Sequence, residues 1–147
     1  MLFVGAVMGV APGAASAGGG PVAAAARTQS FDISSTLHLI GHPGHVLNEQ
    51  GTFNGTQTGT IAIRFTSITS TTGTATFTAY PSGGSVSGST TTKGEVVGAH
   101  VYFSGSMTIN GGTGKWAHAS GRGLGFSGVV DRQNFHATTH MTGTISL

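Results

Sequence analysis

The chain contains no cysteine, which excludes disulfide staples, thiolate metal ligands and thiol nucleophiles. A domain of this size must then be held by its core and its backbone hydrogen bonds. Charge is scarce as well: Asp, Glu, Lys and Arg make up 7% of the residues, six basic against four acidic. The isoelectric point near 9.5 therefore reflects a shortage of acids rather than a basic surface. Arg27, Arg64, Lys93, Lys115, Arg122 and Arg132 are scattered along the chain, whereas nucleic-acid binding needs a clustered, phosphate-facing patch. With one Trp, two Tyr and 7% aromatic residues, the paired aromatic girdles of a membrane-spanning barrel are missing. No stretch keeps a helical period beyond one turn.

What is abundant points the other way. Glycine contributes 26 of the 147 residues, and the later two thirds are crowded with Thr and Ser. Gly and β-branched Thr both disfavour helix interiors, so the composition suits a β protein rich in tight turns. The length fits one domain with a single core. Seven histidines outnumber the acids, so net charge rises as pH falls through the ordinary histidine range.

Residues 1–17, MLFVGAVMGVAPGAASA, run apolar from Leu2 to Val10 and end in Ala15-Ser16-Ala17. That is the form of a signal peptide with a small-x-small cleavage site, and export is the expectation. The first charge is Arg27, so the usual basic start is absent. A second cleavage site would end at Ala26. The apolar run is shorter than the ~20 residues a spanning helix needs, and no membrane span is expected in the mature chain. Residues 18–30 read as a flexible lead-in, and the domain is expected to occupy 31–147.

From Phe31 the pattern is period two. Phe31, Ile33, Leu37 and Leu39 alternate with Asp32, Ser34, Thr36 and His38, as in a half-buried strand. Residues 60–68 carry Ile61, Ile63 and Phe65 in the same way, and 73–80 place Phe77 between threonines. Residues 85–92 contain only small polar side chains around Val86 and Gly88, which suggests an edge or highly solvated strand. Val96 to Ile109 reads as one long strand with Val97, Ala99, Val101, Phe103, Met107 and Ile109 on a single face. Phe135 to Leu147 reads as the last. With 51–56 and 121–130 added, the count is about eight, the spacing of an all-β, antiparallel closed barrel or a sandwich.

Between two of these strands lies INGGTGKWAHASGRG. Gly111-Gly112 permits a close backbone approach, and Thr113 is placed to cap one short helical turn over 113–119. The unit I-x-G-G-T-G-x-aromatic-x-x-A-x-G, met at Ile109, Gly111, Gly112, Thr113, Gly114, Trp116, Ala119 and Gly121, resembles the signature of the allene oxide cyclase and dirigent superfamily, in particular its exported bacterial members. The likeness extends more loosely over 31–147. It implies an eight-stranded antiparallel barrel whose interior can hold a small hydrophobic molecule, with these residues forming a structural corner. It does not carry a catalytic residue across: the plant cyclases use a Glu and a Cys inside the barrel, while this chain has no Cys and its Glu49 and Glu95 stand in Gly-flanked, loop-like settings. Asp32, Asp131, Tyr80 and Tyr102 match no dirigent motif.

His42-Pro43-Gly44-His45 supplies two imidazoles on a turn, and His136 and His140 share a strand face about 13 Å apart. Neither pair is a complete metal set without partners such as His38 or His100, and no metal or other cofactor is expected. No nucleophile-elbow pattern accompanies Asp32 or Asp131. Leu37, Phe65, Phe103 and Met141, on the apolar faces of four strands, are the candidate ligand-binding residues. The function expected is a secreted binding module for a small apolar molecule, with isomerase- or cyclase-like activity as its stronger variant; the alternative is a structural or surface-interaction domain with a filled core. Homo-oligomer formation is left open.

Overall fold

The computed structural model describes residues 27–69 and 71–147; the expected signal peptide lies outside them. Eight strands follow in order: β1 (Thr28–Gly41), β2 (Leu47–Gly55), β3 (Gly59–Ile68), β4 (Thr72–Pro81), β5 (Gly84–Val97), β6 (His100–Gly114), β7 (Gly121–Asp131) and β8 (Ala137–Ser146). Each pairs antiparallel with the next, and β1 pairs with β8 to close an all-β barrel. The first strand starts at Thr28 rather than near Phe31, because Thr28, Gln29 and Ser30 find partners in Ser146, Ile145 and Thr144.

Ring closure carries a stagger. Followed in one direction from Leu37, the paired residues are Gly51, Ile61, Ala79 and Val86. In the other direction they are Ala137, Val130, Val101 and Val96. The two paths meet on β5 ten residues apart, so the strands are strongly inclined to the barrel axis. An eight-stranded barrel of this kind is just wide enough to be filled by side chains or to hold one small ligand.

Side chains alternate accordingly. Ile33 and Leu37 of β1, Ile61 and Ile63 of β3, Met107 of β6, Phe126 of β7 and Met141 of β8 are buried inside, while Thr, Ser, Lys and Arg dominate the outer wall. Aromatic rings fit because glycine stands opposite them. A Cβ added to Gly128 would lie 2.6 Å from the Phe103 ring, and one added to Gly88 would lie 2.8 Å from that of Phe77.

Three expectations change. The polar stretch 85–92 is no edge: it belongs to β5, bonded on both sides, and Val86, Thr90 and Thr92 point inward. The long segment 96–109 is folded at Gly98, whose φ of +60° is a left-handed turn conformation. Val97 is thus the exposed end of β5, paired with His100 across the hairpin. Near the glycine motif β6 runs on through Gly114, and only residues 115–118 form a turn. There Trp116 N–H donates to Thr113 O, and Ala119 N–H to Trp116 O.

The two ends of the barrel differ. At the end holding the β2–β3, β4–β5 and β6–β7 connections, Trp116 is 2% exposed and its indole N–H donates to Ser82 O at 3.0 Å. This side chain plugs the barrel. At the other end the four remaining hairpins surround an opening.

Candidate functional site

The opening is a cavity of about 310 Å³ whose apolar wall includes Leu47, Phe65, Val101, Phe103, Val130 and Phe135. Strand register accounts for this wall: Leu47 pairs with Phe65, and Val101 with Val130, at the last inward-facing positions before the hairpins. Phe65 meets Phe103 edge-on with ring centroids 6.2 Å apart, and Phe103 leans on Phe126 at 5.6 Å. The aromatic chain forms the floor on that side. Near Trp116 the interior leaves only about 50 Å³, lined by Met107, Met141, Ile145 and their neighbours, too little for an organic ligand.

The four candidate ligand-binding residues are therefore not gathered at one cavity. Phe65 and Phe103 line the open end. Leu37 is packed in the core at 1% exposure, and Met141 faces the small compartment at the plugged end. Each alternates inward as the period-two pattern requires; what the pattern does not supply is the height of each along the barrel axis, which the stagger sets.

Glu49 lies one inward pair below Leu47 and Phe65 and is not itself among the residues lining the mouth; it borders a second concavity of about 380 Å³ beside Ile40 and Arg64. It is in β2, not in a loop, between Leu39 of β1 and Ile63 of β3, two residues from Leu47. Its side chain is 1% exposed and neither carboxylate oxygen has a hydrogen-bond partner. Burial raises its pKa from 4.5 to about 7, because removing the group from water penalises the charged form. A lone acid held near neutral protonation in an apolar interior can donate or accept a hydrogen bond, or a proton, at the pH of most biological fluids. The signal was present in the alternation of Leu47, Glu49, Gly51 and Phe53 with Asn48, Gln50 and Thr52; the glycine and the charge disguise it as a turn. Glu95 also belongs to a strand, β5, but is exposed.

The other buried polar groups are hydroxyls. Ser35 and Thr139, partners across β1 and β8, hydrogen-bond to each other, and Thr92 donates to Gly73 O at 3.2 Å. These are satisfied locally and leave Glu49 as the unpartnered buried acid among the described residues.

The corner residues behave as structure. A Cβ on Gly112 would stand 2.0 Å from Ser85 O, and one on Gly114, where φ is +61°, would stand 2.0 Å from Gly83 O. Thr113 reaches across to the Ser85 hydroxyl at 2.8 Å. Ala119 is buried beside Trp116 in the core cluster, Gly121 opposes Ile109, and Gly111 opposes Ser87.

Outside the barrel, His140 Nε2 lies 2.7 Å from Asp32 Oδ1, with both side chains substantially exposed. Ser34 is the strand partner of His140, but no hydrogen bond joins the two side chains among the described residues, so a nucleophile and its base are not assembled there. His38 stands opposite Gln50, and His42 packs its ring against Phe135 at 5.8 Å. A broader concavity of about 760 Å³ crosses the outer wall beside Tyr102 and Lys93; its hydroxyl lining is that of an ordinary solvated sheet face. Comparison of the chain with protein-family models, curated proteins and solved structures gives no match.

Proposed function

We propose that the barrel is a binding module for one small, mainly apolar molecule, admitted at the open end and oriented by Glu49. The observation that carries this reading is the unpartnered buried acid that stands two residues along β2 from Leu47, a wall residue of the apolar mouth of about 310 Å³. A buried polar group without a partner is unfavourable, and a ligand carrying one hydrogen-bond acceptor or donor would relieve it. That volume sits at the lower end of ordinary ligand pockets, roughly 300–1,000 Å³, so the occupant is a single modest molecule. No metal is required.

The likeness of the glycine corner to the allene oxide cyclase and dirigent superfamily supports the same reading, and extends it to an isomerase- or cyclase-like step in which Glu49 moves a proton. The second reading, a secreted structural domain with a filled core, is favoured by the packing around Trp116, Met107 and Met141.

Displacement of a fluorescent fatty-acid probe from the full chain, with native mass spectrometry of the complex, tests the choice. Wild type is expected to bind one probe per chain, unaffected by chelator, and Phe103→Trp to weaken it. Glu49→Leu is expected to alter selectivity between probes with and without a polar head. Absence of binding by every apolar probe would transfer the conclusion to the structural reading.

A further inference from the structure

Of the six large apolar side chains exposed among the described residues, Ile40, Ile68, Val96, Val97 and Tyr102 belong to the open end, and Tyr80 alone to the plugged end. The five are spread over hairpins rather than collected on one strand: Ile40 precedes the β1–β2 turn, Ile68 the β3–β4 turn and Val96-Val97 the β5–β6 turn, while Tyr102 follows that last turn. Phe135 adds a partly buried ring in the β7–β8 turn. Val97 and Ile40 are each 53% exposed, so these tips make a discontinuous apolar crown around the mouth.

Cationic groups are interleaved with it. Arg64, Lys93 and Arg132 lie in this half of the barrel with three acids, Glu95, Asp131 and the buried Glu49, and His38, His42, His45, His100 and His136 are exposed there too. His100 lies against Tyr102 with ring centroids 6.3 Å apart. Three cations against Glu95 and Asp131 leave one positive in excess outside the barrel interior. Exposed apolar tips bordered by cations match a bilayer interface, where apolar side chains enter the acyl boundary and basic ones meet anionic headgroups.

We propose that the open end of the barrel docks on an anionic lipid surface, with Ile40, Ile68, Val96, Val97 and Tyr102 seated at the interface. The outer wall argues for end-on contact: its Thr and Ser faces are the inverse of the apolar band that a spanning barrel presents. The docked orientation would point the mouth at the bilayer, so an apolar occupant could pass without crossing water. The docking claim stands on the crown and its charges and does not require an occupied barrel.

The experiment is co-sedimentation of the full chain with phosphatidylcholine vesicles, with and without phosphatidylglycerol. Binding is expected on the anionic vesicles, at least about tenfold above that on phosphatidylcholine alone, and falling with added salt. A Val96→Ser, Val97→Ser double variant is expected to lose at least about tenfold of that binding, whereas Tyr80→Ser at the plugged end leaves it unchanged. Val97→Trp, a substitution at an exposed tip, provides an independent readout, since its emission should shift to the blue on docking. Equal loss in the Tyr80 and Val96/Val97 variants, or no binding to anionic vesicles, would overturn the proposal. So would lipid-free dimerisation abolished by the same double substitution, which would assign the crown to a second copy of the chain.

Discussion

Replacing Glu49 by Gln is expected to flatten the pH dependence of stability between pH 4.5 and about 7. The carboxyl is raised from 4.5 to about 7 in the folded chain by burial alone, so the folded state holds its proton over a range in which the unfolded state has released it. The sign follows from linkage: a raised value contributes stability that is complete below the unfolded pKa and is lost as pH rises through the folded one. At about 1.4 kcal/mol per pH unit, the loss attributable to this group is on the order of 3 kcal/mol, a large share of the roughly 5–15 kcal/mol typical of a domain. Urea unfolding of wild type and Glu49→Gln in parallel, at steps from pH 4 to pH 8, isolates it, because every exposed titrating group cancels in the difference. The variant's amide leaves a pH-independent penalty of its own, so the slopes of the two curves decide the matter rather than their heights. Parallel curves across this window would refute the placement of an unpartnered carboxyl inside the barrel.

At the glycine corner, Gly112→Val is expected to lower stability by roughly 1–3 kcal/mol, read as a fall in melting temperature, because its Cβ would stand 2.0 Å from Ser85 O; an unchanged midpoint would mean that β5 and β6 are not packed so closely there. Trp116→Phe removes the indole donor to Ser82 O and part of the plug, with an expected loss of at least about 1 kcal/mol. Asp32→Asn breaks the exposed contact with His140 and is expected to change stability by less than about 1 kcal/mol in denaturant titration. Intact-mass measurement of exported protein is expected to give a chain beginning at Gly18 or Arg27, and recovery of the uncut chain from the medium would remove the signal-peptide reading.

Much of the barrel was legible because one periodicity governs it. The alternation in Phe31–Leu39 and Ile61–Phe65 reports which face is buried, and the same rule holds in the folded strands. Residues 85–92 misled because strand burial is usually inferred from apolar side chains, whereas in a closed ring Thr90 and Thr92 are buried by position. Gly98 interrupts an otherwise regular alternation without a proline or an Asn-Gly pair to mark it. Glu49 was hidden by its identity, since a carboxylate in an inward position contradicts the pattern used to find inward positions. The site depends on heights along the axis, and those come from the ten-residue stagger, which only the pairing of β1 with β8 fixes.

That pairing also sets the order of assembly. Every other strand pairing joins neighbours in sequence, so the hairpins can form locally and early, while bringing Thr28 to Ser146 must bear the loop-closure entropy of almost the whole domain. Until it happens, β1 and β8 are both free edges, each offering unpaired backbone groups to any complementary strand. At high concentration during refolding, the β1 edge of one chain meets the β8 edge of another with the register that closure would have used. The expected kinetic competitor of the closed monomer is consequently a strand-exchanged dimer, whose yield should rise with protein concentration.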